Sequence, residues 1–239
     1  MNLDHIALIT TDADPAFHQQ KCNDIARSIG VDPGIITVYS FARHPNGPDQ
    51  GCFDSHHQVW NDIVAKGKKL TLIMEDDVVF LKKTPFDFYA SFLNKSDDWE
   101  VFYLGHRPII WDTRLVKKTS TPGIVEVRTN DTHAYLIPLK TAHKLAALDW
   151  EYKPVDIFLR EHTTTSYAIF PMRAIQCGKM FTPSFFNGMS ERNSQYIRYA
   201  IQKPLNPFRA LFYLSFVVIG QPWIFFSSMW FSLTRRHPK

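Results

Sequence analysis

Three carboxylates in a row, Glu75, Asp76 and Asp77, follow the uncharged run 70–74 and are followed at once by Val78, Val79 and Phe80, giving KLTLIMEDDVVF over residues 69–80. Adjacent carboxylates repel, and burial raises the pKa of at least one of them. They stay ionised at low cost only beside water, hydrogen-bond donors or a cation. A divalent cation carrying a diphosphate relieves the conflict, with carboxylates on one side of Mn²⁺ or Mg²⁺ and phosphate oxygens on the other. Strand alternation would send Glu75 and Asp77 to one side and Asp76 to the other, making Asp77 the first choice of direct ligand with Glu75 or Asp76 second. The competing reading is a solvated turn or helix cap after a strand, and the triplet alone does not decide between them.

Two other stretches bear on that choice. GCFDSHHQVW, residues 51–60, puts Ser55 and His56 at a helix start after a loop of glycine and proline. His56 could bond to a diphosphate or a sugar hydroxyl, or be a satisfied interior histidine. Cys52 and His57 carry the same interior alternative. In YKPVDIFLREH, residues 152–162, Pro154 suits a helix start. Asp156 there is either a general base or a carboxylate favoured by the positive end of that helix.

These residues need a scaffold, and the hydrophobic pattern supplies one. Residues 5–9 form an apolar run fit for a buried strand. Asp12 or Asp14 can cap the helix that follows, with Pro15 in its first turn, and Phe17, Cys22, Ile25 and Ile29 recur at helical spacing up to Gly30. A second strand is expected at 35–39, then a turn-rich loop over 42–51. Phe53, His56, Trp60 and Ile63 mark one face of a second helix ending at Gly67, and residues 70–74 form the third strand. This alternation implies right-handed crossovers and a mainly parallel sheet, whose ligands lie beyond the carboxyl ends of the strands, where the acidic triplet sits. Further strands are expected at 101–104, 124–127, 133–137 and 167–170, with helices at 85–93, 138–148 and 154–160.

Composition narrows the function classes. The 239 residues are 45% hydrophobic and 21% charged, enough for a substantial core. The formal charge of +4 comes from interspersed signs, with no basic block and no zinc-finger spacing, which argues against nucleic acid as a partner. Cys22, Cys52 and Cys177 are scattered and odd in number, which argues against a disulfide framework. The opening MNLDHIALITTD reads as a first strand rather than a signal peptide.

The last part differs in kind. Residues 210–233 carry no charge, and a helix of that length would reach about 36 Å, enough to cross a bilayer core. Trp223, Trp230, Arg235 and Arg236 suit an interface, while Pro222 would kink or split the helix. A membrane-associating helical segment is therefore expected, spanning the bilayer or lying in one leaflet, with two domains: 1–200 and a hydrophobic segment with basic tail at 201–239. In a bacterium the protein would sit at the cytoplasmic face of the inner membrane.

Taken together, GCFDSHHQVW, LTLIMEDDVVF, VFYLG (101–105), THAYLIPLKTAHKL (132–145), PVDIFL (154–159) and FTPSFF (181–186) resemble glycosyltransferase family 25, the lipopolysaccharide and procollagen galactosyltransferase-like family. The resemblance implies a GT-A-like, Rossmann-type domain and a metal-dependent, inverting enzyme. It would move a hexose, galactose foremost, from a UDP-sugar to a hydroxyl of a glycan or lipooligosaccharide, usually with Mn²⁺. Glu75, Asp76 and Asp77 match the family's metal-binding acidic signature. Gly51, Cys52, Ser55 and His56 match its "GC..SH" block near the donor, and Asp156 matches the acid of its "PVD" block near the acceptor. Ser184 and Ser190 match a late serine-containing loop. The family's arginine-rich loop after the first strand is missing here, the first arginine being Arg27, and IPLKTAH stands where the family has "S..G". Those departures motivate a second reading: a noncatalytic nucleotide-sugar or glycan-binding protein on the same fold.

Overall fold

The computed structural model describes residues 3–80, 86–96, 98–106, 114–170 and 173–176. The first strand, β1 (His5–Thr10), is buried along its whole length. Its side chains alternate between two cores, Ile6 and Leu8 entering one while Ala7 and Ile9 enter the other. A strand covered on both faces has no polar side to show, which is why it reads as a continuous apolar run.

Helix α1 (Pro15–Ile29) starts where Asp14 accepts a hydrogen bond from Ala16 N at 2.9 Å. It ends at Gly30, whose φ of 75° is the left-handed conformation glycine adopts without strain. Strand β2 (Ile36–Ser40) and strand β3 (Leu70–Glu75) lie on either side of β1, both parallel to it. Between them runs α2 (Pro48–Ala65), which begins inside the segment expected to be loop. Pro48 tolerates the first helical position because its missing N–H has no intrahelical partner to lose there.

Apart from a single 3-10 turn at Pro33–Ile35, the remaining elements are β4 (Val78–Phe80), α3 (Asp87–Leu93), β5 (Val101–Tyr103), β6 (Arg114–Lys118), β7 (Ile124–Arg128), β8 (Ala134–Pro138), α4 (Leu139–Ala146), α5 (Val155–His162), β9 (Ser166–Ile169) and β10 (Ala174–Gln176). The main sheet has the order β2-β1-β3-β8-β5-β9-β7-β6, and β10 pairs with β4 in a separate antiparallel ribbon.

The expected mainly parallel sheet is corrected here, because the sheet is mixed. Among the described residues only β1–β2, β1–β3 and β5–β9 run parallel in this sheet; β3–β8, β5–β8, β7–β9 and β6–β7 run antiparallel. Parallel neighbours need a long crossover, usually a helix, whereas antiparallel neighbours do not. Helices separate β1, β2 and β3, but none is assigned between β5 and β8 among the described residues.

The expected membrane-associating segment at 201–239 lies outside the described residues, as do Ser184 and Ser190. Among the described residues no helix is long and apolar enough to cross a membrane. The spanning helix that was expected, and from which a place at an inner membrane was drawn, is thus not found among the described residues.

One core packs α1 and α3 against the sheet, with Cys22, Ile25, Ile29, Tyr89 and Leu93 over Leu72, Phe102 and Leu136. The other packs α2, α4 and α5 on the opposite face. There Trp60 stacks on Phe158 (centroids 6.2 Å apart, planes at 16°), and Phe53 meets Phe158 edge-on at 4.9 Å. This aromatic cluster fixes α5 against α2, and with it the position of Asp156 relative to Cys52 and His56.

Candidate functional site

At the carboxyl ends of β1, β2 and β3 lies a cleft of about 840 Å³. Thr10 and Thr11 enter it from β1, Arg43 and His44 from the loop after β2, and Glu75 and Asp76 from the end of β3. The first turns of α2 add Pro48, Asp49, Gly51, Cys52, Ser55 and His56. Asn130 and Thr132 precede β8, and Pro154–Ile157 of α5 close the opposite side. Parallel strands end together here, so their last residues and the helix that follows converge without further design.

Glu75 is held from two directions. Thr132 Oγ1 donates to its Oε1 at 2.8 Å, and Gln176 Nε2 donates to its Oε2 at 2.8 Å. Asp76 accepts from Thr10 Oγ1 at 2.5 Å. The backbone turns at Asp76 and Asp77 before β4 begins, so strand alternation stops at Glu75. In consequence Glu75 and Asp76 both line the cleft, whereas Asp77 is not among its lining residues. The Asp77 carboxylate lies in the electrostatic surroundings of His133, a buried imidazole one residue before β8. Burial alone would lower the pKa of His133. The Asp131 carboxylate, hydrogen-bonded to its Nδ1, outweighs burial and raises it, with Glu75 and Asp77 adding to the effect.

His56 is fully buried. Its Nδ1 lies 2.8 Å from the Tyr135 hydroxyl, which also accepts from Trp60 Nε1 at 3.2 Å. Its Nε2 has no hydrogen-bond partner and stands 3.7 Å from Glu75 Oε1, beyond hydrogen-bonding distance. Cys52, His56 and Glu75 offer ligand atoms that all lie within 4.8 Å of one another. Ser55 Oγ donates to Cys52 O at 2.8 Å, within the helix. Gly51 sits where the loop after β2 crosses α2: a Cβ there would lie 2.7 Å from the Cβ of His44. Asp156 occupies the first turn of α5, where its Oδ1 accepts from Ile157 N at 2.8 Å, and it lines the cleft as well.

The structure therefore brings Gly51, Cys52, Ser55, His56, Glu75, Asp76 and Asp156 around one cavity and leaves Asp77 outside its lining. It adds residues not singled out from the sequence: Thr10, Arg43, Thr132 and Gln176. Arg43 was legible in principle, since it lies three residues past the end of β2 and the segments beyond strand ends line such clefts. It places an arginine in a site whose sequence opening has none. Gln176 reaches Glu75 only through the β10–β4 ribbon, a pairing without a local signal.

The resemblance to family 25 holds in direct comparison. Residues 46–159 match the model of glycosyltransferase family 25 (LPS biosynthesis protein). Procollagen galactosyltransferase 1 of Danio rerio is 31% identical over 165 residues, covering 63% of this chain and 27% of that protein. The inactive glycosyltransferase 25 family member 3 of Homo sapiens is 33% identical over 145 residues, covering 56% of this chain and 23% of that protein. The chain thus spans about a quarter of the length of the curated relatives it matches. Among solved structures, A197 from STIV superposes with a TM-score of 0.51 at 12% identity, covering 72% of this chain and 84% of that one, which is a likeness of fold. The expectation of a metal-dependent, inverting enzyme is corrected by these relatives. Proteins named inactive resemble the chain as closely as those named galactosyltransferases, so the similarity carries a fold and not a turnover.

Proposed function

We propose, from the match to the glycosyltransferase family 25 model over residues 46–159, that the cleft at the ends of β1–β3 is a nucleotide-sugar site. Its ligand is a UDP-hexose, galactose being the hexose that the names of several relatives carry. The observation that supports this most is the meeting of Arg43, the first turns of α2 and the pair Glu75–Asp76 around one cavity. A guanidinium binds a diphosphate through two parallel hydrogen bonds. The start of an 18-residue helix favours an anion at its backbone N–H groups. Glu75 and Asp76, held by Thr132, Gln176 and Thr10, present acceptors for sugar hydroxyls. Asp156 on the far side can accept a hydrogen bond from a hydroxyl of a glycan entering beside the donor.

The family resemblance also implies Mn²⁺ or Mg²⁺. Such hard ions take oxygen ligands, whereas the three side chains whose ligand atoms lie within 4.8 Å of one another are a thiol, an imidazole and a carboxylate. That donor set does not fit them, and the diphosphate is held by Arg43 and the helix start.

Titration calorimetry with UDP-galactose and with UDP tests the reading. Both should bind, and Arg43→Ala should weaken both by about tenfold or more, the loss expected for one charge-assisted hydrogen-bonding group. Equal affinity in wild type and Arg43→Ala would remove the diphosphate from the cleft. Release of free UDP in the presence of a glycan acceptor reports transfer separately from binding.

A further inference from the structure

The geometry points to a site for a borderline-soft divalent cation of the Zn²⁺ class, built from Cys52 Sγ, His56 Nε2 and Glu75 Oε1, with a fourth position open to the cleft. Cys52 and His56 stand four residues apart on α2, the spacing that puts two side chains on one helix face. Glu75 meets them from the end of β3.

Three observations carry the assignment. His56 is fully buried, yet its Nε2 has no hydrogen-bond partner, and a buried nitrogen left unsatisfied is costly. With Nδ1–H donating to the Tyr135 oxygen, which has a second lone pair for Trp60 Nε1, the Nε2 lone pair faces Glu75. In the other tautomer the Nε2–H would have no acceptor in reach, since Glu75 Oε1 is 3.7 Å away. A cation between the two groups takes up that nitrogen lone pair.

The spacing agrees as well. Ligand atoms on a tetrahedral Zn²⁺ at 2.0–2.3 Å lie roughly 3.3–3.8 Å apart. The His56–Glu75 separation of 3.7 Å is within about 0.4 Å of the nitrogen–oxygen edge of such a tetrahedron. All three atoms lie within 4.8 Å of one another, so closing the third corner takes about 1 Å of side-chain adjustment at Cys52.

The surroundings orient the ligands. Tyr135 fixes the His56 ring, and Thr132 and Gln176 fix the carboxylate of Glu75. Hydrogen-bonded partners of this kind set the tautomer and orientation of metal ligands. Three protein ligands and one open corner make a site at which a cleft-bound oxygen can become the fourth ligand. A thiolate and an imidazole select Zn²⁺ or Co²⁺ over Mn²⁺ and Mg²⁺.

The test uses the full chain with metal alone and no nucleotide, so its failure leaves the nucleotide-sugar reading standing. Co²⁺ should bind at one equivalent and give the visible bands of a tetrahedral ion together with a near-ultraviolet thiolate charge-transfer band. Zn²⁺ should displace it, and a large excess of Mn²⁺ should not. The charge-transfer band should vanish in Cys52→Ser and persist in Cys22→Ser. Zn²⁺ affinity should fall by about 100-fold in Glu75→Gln and by about 10-fold in Tyr135→Phe, the range expected for a ligand and for its orienting partner. Circular dichroism of each variant shows that the fold is kept, and the isosteric Glu75→Gln decides the matter should Cys52→Ser unfold. A wild-type spectrum without the charge-transfer band, a band unchanged in Cys52→Ser, or Zn²⁺ affinity unchanged in Glu75→Gln would each overturn the site.

Discussion

The hydroxyl of Thr10, the last residue of β1, donates to the carboxylate of Asp76, the first residue past β3, at 2.5 Å. The two strands are already paired along their length, from His5 with Thr71 to Ile9 with Glu75. The side-chain bond extends that pairing one step beyond the ladder and turns a repelling carboxylate inward over the cleft. Thr10→Val keeps the shape and deletes the donor. It should destabilise the protein by about 1.5 kcal/mol, the order expected for a hydrogen bond to a charged group, as read by urea unfolding. It should also weaken UDP-sugar binding. Unchanged values for both would mean that Asp76 finds its place without Thr10.

His5 gives the acid limb of stability. It is buried between β2 and β3, with Thr37 Oγ1 3.2 Å from its Nε2 and Thr71 Oγ1 3.4 Å from its Nδ1. Burial first, then Lys68 and Lys66, lower its pKa to about 4. The unfolded chain takes up this proton near pH ~6.5, while the folded chain refuses it until about pH 4. The unfolded state therefore binds more protons in that window, and stability should fall as pH drops through it. His5→Gln should flatten that slope in unfolding free energies measured from pH 7 to pH 4. An unaltered slope would place the effect elsewhere.

Gly51 is required by close approach. A methyl group there would meet the Cβ of His44 at 2.7 Å, a contact between two rigid parts of the chain. Gly51→Ala should cost about 1–3 kcal/mol, as overpacking does. Because the displaced loop carries Arg43, UDP affinity should fall as well. A fully stable, fully binding Gly51→Ala protein would show that the loop yields easily.

Phe158 is fully buried between Trp60 and Phe53. Phe158→Ala should destabilise by about 3–5 kcal/mol. Phe158→Leu, which refills part of the space, should cost less and return much of the binding. If Phe158→Ala bound UDP-galactose as well as wild type, α5 would not be what shapes the far wall of the cleft.

These residues also show what a single sequence can and cannot display. The strands at 5–10 and 70–75 were legible because burial on both faces leaves an apolar run, and α1 because Asp14 and Gly30 mark its ends. The placement of the acids at the end of β3 followed from strand order alone. The mixed sheet was not read, although the pattern held the clue: strands at 101–104, 124–127 and 133–137 follow one another without the helix a parallel pair needs. Extrapolating alternation past Glu75 sent Asp77 to the wrong side, because a two-residue turn leaves no mark in a run of like charges. Thr10, Arg43 and Gln176 were invisible as a set, since their shared position depends on pairings across the whole sheet.

The hydrogen bonds that bind the cleft together join residues far apart in the chain: His56 to Tyr135 across 79 positions and Gln176 to Glu75 across 101. Loops of that length must close before either contact forms, and closure is the slow part of building non-local structure. No early, locally folded fragment can hold a working pocket. Ligand capture during refolding should rise in step with the final cooperative phase, which makes it a reporter of complete folding.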